Sequence, residues 1–166
     1  MWGETMSEVS RIVDELSREY DGEPWHGSPL REILRGIDAA QAAGRPIAGA
    51  HTIWELVLHI TAWKNEVRRR LTGAAAGTPD EGDWPEVGPP GAERWTDALD
   101  RLQVAHRNLL DAVETLPEAQ LHAATNDPRA EDAPGGVSYY VLLHGSVQHD
   151  VYHAGQIALL KKCGPD

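Results

Sequence analysis

Apolar residues in this chain recur three and four positions apart, the spacing of one face of an α-helix, and no stretch alternates as a half-buried strand would. Val9, Ile12, Val13, Leu16 and Tyr20 set out a first amphipathic helix that stops at Asp21-Gly22-Glu23-Pro24. Ser28 and Pro29 read as an N-cap and a first-turn proline, after which Leu30, Ile33, Leu34 and Ile37 restart the periodicity. Pro24-Trp25-His26-Gly27 therefore interrupts two helical segments. A further helix begins at Thr52, where Thr52 and Glu55 have the spacing of a capping box, runs through Ile53, Leu56, Ile60, Val67 and Leu71, and ends at Gly73.

Residues 73–91 are rich in Gly, Pro and small side chains and predict a loop long enough to carry function or motion. Trp95, Leu99, Leu102, His106, Leu109, Val113 and Leu116 then form the seam of a helix packed in a bundle. A second irregular stretch covers Ala123 to Gly136, and from Val137 to Lys162 apolar residues surround the helix on nearly every side, which predicts a central position. These elements add up to an all-α, four-helix bundle with an interrupted first helix and long connecting loops, in one domain over residues 1–166.

Composition narrows the partners. The chain has 166 residues, 41% of them hydrophobic and 25% charged, enough for one core and short for two. A net charge of -11 repels phosphate backbones and anionic membrane surfaces, and only Arg68-Arg69-Arg70 offsets it, so neither nucleic acid nor a membrane is expected as a partner. Cys163 is the single cysteine, which excludes an internal disulfide and a cysteine-based zinc cluster and makes the cytoplasm the expected compartment. The polar N-terminal MWGETMSEVS and the absence of a span-length apolar run predict neither export nor anchoring.

The chemistry concentrates in Gln148-His149-Asp150-Val151-Tyr152-His153-Ala154-Gly155-Gln156. Helical residues four apart differ in direction by about 40°, so His149 and His153 project together and can grip one cation. Taken alone, the pair reads equally as two core or surface histidines. Its outline is that of the H-E-x-x-H of zinc proteases, with Asp150 where those enzymes have a general-base Glu. Asp is one methylene shorter, however, and Ala158 through Asp166 contain no His or Glu to complete such a site, so a third ligand is expected upstream. His59 is the best candidate: it lies mid-helix in the apolar WELVLHITAW, where an unpaired imidazole carries a desolvation cost that a metal would remove.

With His59 in WELVLHITAW and the His-x3-His of QHDVYHAGQIALLKK, the chain resembles the DinB/YfiT family of metal-binding four-helix bundles, and GEPWHGSPL resembles one branch of it. The similarity spans nearly the whole chain, although only these motifs are specific. It implies a His59, His149, His153 site for one divalent metal ion such as zinc, nickel or iron. Imidazole accepts any of these, so the ligands do not choose between them. The resemblance also implies a homodimer, to which the sequence adds an abundance of Trp, six in all.

Three neutral imidazoles leave at least one coordination position open, as in catalytic rather than structural sites. Three classes of function follow. A thiol S-transferase, suggested by the bacillithiol- and mycothiol-dependent members of the family, would bind a low-molecular-weight thiol as its small-molecule substrate and aim the thiolate at an electrophile. A metal-dependent hydrolase would hold water there, and a binding protein would turn nothing over. Hydrolysis wants a carboxylate beside the metal, but Asp150 points about 100° around the helix from His149, so thiol transfer is the favoured expectation.

Other residues read two ways. Trp25 and His26, at the break in the first helix, either line a substrate pocket or form a packed turn. Glu55 either orients His59 or caps its helix, and the cap explains it more cheaply. His106 reads as a core histidine, Trp84 as a lid or a staple for its loop, and Gly145 as room above the metal or a helix-packing contact. His51, His122 and His144 have no partner at an informative spacing, and Cys163 lacks the basic neighbour of a catalytic thiol.

Overall fold

The computed structural model of the chain describes residues 6–127 and 137–163. Four long helices carry the fold: α1 (Glu8–Tyr20), α4 (Ile53–Leu71), α5 (Ala92–Glu114) and α6 (Tyr139–Lys162). Two short ones, α2 (Leu30–Leu34) and α3 (Ala39–Ala43), lie in the first connection. Among the described residues there is no strand, only an isolated bridge between Ala124 and Ser138. The expected all-α bundle is what the chain forms, and 128–136, the remainder of the irregular stretch after Ala123, lies outside the described residues.

Helix starts follow local chemistry. Ser7, Asp38, Thr52 and Ser138 each accept a hydrogen bond from a backbone N–H in the first turn of the helix they precede. At Thr52 the capping box is complete, because the Glu55 carboxylate also accepts from the Thr52 N–H at 2.7 Å. The second segment of the interrupted helix is shorter than its apolar period suggests. Pro29 itself takes the cap position without a side-chain bond, α2 lasts five residues, and Gly36 turns the chain at φ +79°. Lys161 closes the end of α2, donating to the carbonyls of Ile33 at 2.8 Å and Arg35 at 2.7 Å.

Around the bundle, α1 packs against α5 and α6, and α4 packs against the same two. The helices that carry His59 and the His149–His153 pair are therefore neighbours, as a shared metal requires. α6 is not surrounded, however: Val141, Tyr152 and Leu159 are more than half exposed on one stripe of it. Its apolar residues exceed what its three packing partners α1, α2 and α4 can cover.

The core has two apolar halves. One gathers Leu30, Trp54, Ile60, Trp95, Leu102 and Ile157, and the other gathers Ile12, Leu16, Val67, Leu109, Val113 and Leu143. Between them each long helix contributes one buried polar residue at the same height: Glu19, Lys64, His106 and Asp150. This polar layer lies next to the candidate site.

Candidate metal centre

The capping box at Thr52 fixes where α4 begins, and two turns later His59 points between α4 and α6 with 5% of its surface exposed. From α6, His149 and His153 project toward it. One ring nitrogen from each of the three lies within 4.8 Å of the others, and His59 Nε2 stands 3.0 Å from His149 Nε2. Ligands held tetrahedrally by zinc at ~2.0–2.1 Å sit about 3.3 Å apart, so a small shift of one ring accommodates an ion.

The other ring nitrogens decide which tautomer each histidine holds. His59 Nδ1 is 2.6 Å from the carbonyl of Asp83, which can only accept, so Nδ1 carries the proton and Nε2 is bare. His153 Nδ1 likewise faces Gln156 Oε1 at 2.7 Å, and His149 Nδ1 faces Asp150 Oδ1 at 3.5 Å. The Nε2 edges are thereby turned toward one another: His59 and His149 share a proton across 3.0 Å without a cation, and each would offer its lone pair to one, so the residues fit a divalent metal.

Burial favours the neutral, ligating form. It holds His59 below the usual imidazole range against the raising effect of the Asp83 carbonyl. It brings His153 down to about 4, with the neighbouring His149 and His59 acting in the same direction against the raising Gln156 bond. Among the described residues, no other group of three or more His, Cys, Asp or Glu converges in this way.

The chain matches the family model of the DinB superfamily over residues 25–157. It belongs to that superfamily. No curated protein and no solved structure gives a significant match. Membership agrees with the metal-binding reading of the three histidines of this DinB chain.

Behind the triad, the polar layer supports His149. Asp150 is 1% exposed and pairs with Lys64, itself without exposed side-chain surface. Lys64 also donates to Glu19 Oε1 at 3.1 Å and approaches His106 Nδ1 at 3.3 Å, while the His106 ring stacks on Tyr20 at 4.0 Å. Burial alone would push the Lys64 ammonium down, but Asp150 and Glu19 hold it above its usual value. Burial would raise Asp150, and Lys64 and His149 bring it instead to about 2. Glu19 is pushed up by burial to about 8, more than Lys64 pulls it back. Burial thus disfavours a second carboxylate charge at Glu19, while the Lys64 ammonium and the Asp150 carboxylate compensate each other in the low-dielectric interior.

Over the opposite side, the long loop after α4 forms a cover. Trp84 stacks on His59 with ring centroids 3.9 Å apart, and His51 stacks on the outer face of Trp84 at 3.4 Å. Asp83 adds a side-chain bond from Trp63 Nε1 at 2.8 Å. Trp84 packs its loop over His59, and His51, for which the sequence offered no partner, belongs to the same stack.

The remaining candidates fall elsewhere. Glu55 is occupied by the capping box and by Arg45 Nη2 at 2.7 Å. Trp25 is fully exposed. His26 lines a groove with Val151, Ala154, Gly155 and Ala158, residues roughly 140–240° around α6 from His149. The structure brings neither Trp25 nor His26 to the triad. His106 is a core histidine in the polar layer, and Cys163 is exposed and unpaired at the end of α6. Two residues of the basic run are neutralised locally, Arg69 and Arg70 both pairing with Glu66 at 2.7 Å. No helix among the described residues is long and apolar enough to cross a membrane.

Proposed function

We propose that this DinB protein is a metal-dependent transferase that activates a low-molecular-weight thiol and delivers it to an electrophile. The observation that carries this reading is the charge of the donor set: three neutral imidazoles and no free carboxylate on the Nε2 side. Asp150 is committed to Lys64 and to the far nitrogen of His149, Glu55 to the helix cap, and Asp83 to Trp63 on the Nδ1 side of His59. A divalent cation held by three neutral ligands keeps its full charge, which favours an anionic fourth ligand such as a thiolate and lowers the pKa of a thiol bound there.

The chain's own residues prepare that step. His59, His149 and His153 present lone pairs, and the Asp83 carbonyl, Asp150 and Gln156 keep the Nδ1 protons pointed away. Trp84 and the flanking His51 shield one side of His59 from water. The thiol loses its proton to solvent, its sulfur forms a bond to the electrophilic carbon, and the leaving group departs with the electron pair of the bond that breaks. A hydrolase would need a general base beside the open position, and the nearby carboxylates are already engaged. The test incubates metal-loaded protein with a panel of cellular thiols and a generic alkylating agent beside a metal-free control. Conjugate formation that needs both metal and protein is expected, and metal-dependent ester or amide cleavage with no thiol requirement would overturn the reading in favour of a hydrolase.

A further inference from the structure

The three histidines are not equally accessible. His59 and His153 are 5% and 6% exposed, whereas the side chain of His149 keeps 29% of its surface. Trp84 covers His59, so the way in lies on the His149 side. A cleft of about 400 Å³ opens there between α4 and α6, within the range of small-molecule sites. Larger clefts exist elsewhere, one of about 860 Å³ among α1, α2 and α5, one of about 830 Å³ behind α6 and one of about 480 Å³ beside α3, but none is lined by a triad residue.

The walls beside His149 are Trp63, Val67, Val141 and Leu142. Arg70 closes the far end, yet its charge is taken up by Glu66 at 2.7 Å and Asp127 at 3.9 Å, with a further bond to the Gly77 carbonyl at 2.8 Å. Apart from the Ser146 hydroxyl, the cleft therefore has apolar walls beside His149, and it has no uncompensated charge. Gly145, exposed and one turn before His149, also lines it, and an added Cβ there would meet no atom within 4 Å. The absent side chain leaves open space instead of admitting a neighbouring helix.

We infer that this cleft binds the uncharged, apolar body of the electrophile, aromatic or branched aliphatic, with its reactive carbon toward His149, and that Gly145 sets how large that body can be. The identity of the occupant as electrophile rests on the thiol-transfer reading; the cleft's preference for an uncharged apolar ligand does not. A polar thiol carrying sugar or carboxylate groups would leave its own hydrogen bonds unmet against Val67, Val141 and Leu142. An apolar group gains from burial there and places its reacting end beside the metal ligands.

The test uses the whole chain and N-phenyl-1-naphthylamine, an uncharged fluorescent probe, with and without metal. Saturable binding is expected in both forms. Gly145→Leu should weaken it about tenfold or more, leaving circular dichroism and metal content unchanged. Val141→Asp, at a half-exposed wall position, should weaken it similarly without threatening the core. Absence of saturable binding by the unaltered protein, or equal affinity in both variants, would overturn the inference. A second arm separates it from the transfer reading: along a series of alkyl halides of rising length, kcat/KM should rise in the unaltered protein and flatten in Gly145→Leu. Probe binding lost in both variants with no transfer from any thiol would uphold the cleft and refute the transferase, and transfer with no length dependence and no probe binding would do the reverse.

Discussion

Asp150 Oδ2 accepts a hydrogen bond from Lys64 Nζ where neither side chain has more than 1% of its surface exposed, and the same carboxylate reaches the Nδ1 edge of His149. One residue therefore joins the support of the bundle to the support of the metal site. Removing half of such a buried pair leaves a charge without compensation, so Lys64→Met should cost about 3–5 kcal/mol in urea unfolding. Combining it with Glu19→Gln and Asp150→Asn should recover most of that loss. Asp150→Asn alone should weaken metal affinity by about 10–100-fold, since it disturbs the orientation of His149. An unchanged metal affinity would separate the polar layer from the site.

His106 gives the layer a signature in pH. Burial and the charge of Lys64 hold its imidazole down to about 3 from 6.5, so between those values the unfolded chain binds a proton that the folded one refuses. Stability from this residue is complete above pH 6.5, falls with the pH below it, and levels off under about 3. Glu19, raised from 4.5 to about 8, has the opposite slope over its own interval, because there the folded chain holds the extra proton. The difference between the unaltered protein and His106→Leu isolates the first effect. In metal-free protein that difference should swing toward the variant as the pH is lowered from 6.5, and a difference independent of pH would contradict a neutral buried His106.

Trp84 lies between two imidazoles, and stacked aromatic pairs contribute about 0.5–1.5 kcal/mol beyond their burial. Trp84→Ala should therefore weaken metal retention about 2- to 10-fold in a chelator competition, with His51→Ala producing a smaller change. Equal retention by all three proteins would make the loop a bystander.

Glu55 distinguishes a cap from a ligand. Thr52→Ala should cost about 1 kcal/mol through loss of the N-cap, and Glu55→Gln a smaller amount, while both keep full metal content. Loss of metal from Glu55→Gln would place its carboxylate at the ion instead.

The helical period made α1, α4, α5 and α6 legible, and the Thr52–Glu55 spacing marked the start of α4 to the residue. His59 stood out because an imidazole amid WELVLHITAW needs a partner, and the family resemblance joined it to His149 and His153. The polar layer was harder to see, since Lys64 and Glu19 look like ordinary surface residues when their helices are read singly. The available signal was register: Lys64 falls four after Ile60 and three before Val67, on the buried seam, where a charge demands an opposite one. The cover of Trp84 and His51 left no periodic trace, because a loop brings those rings together. α2 fell short because Gly36 and Arg35 leave helical geometry although the apolar period continues to Ile37. The exposed stripe of α6 was also hidden, since an all-round apolar helix does not say which side lacks a neighbour.

The central claim is that His59, His149 and His153 hold one divalent metal, and elemental analysis after reconstitution and desalting tests it most directly. The unaltered chain should carry about one metal ion, His59→Ala should bind it more weakly, and the His149→Ala, His153→Ala double variant should carry none. Full metal content in that double variant would contradict the account.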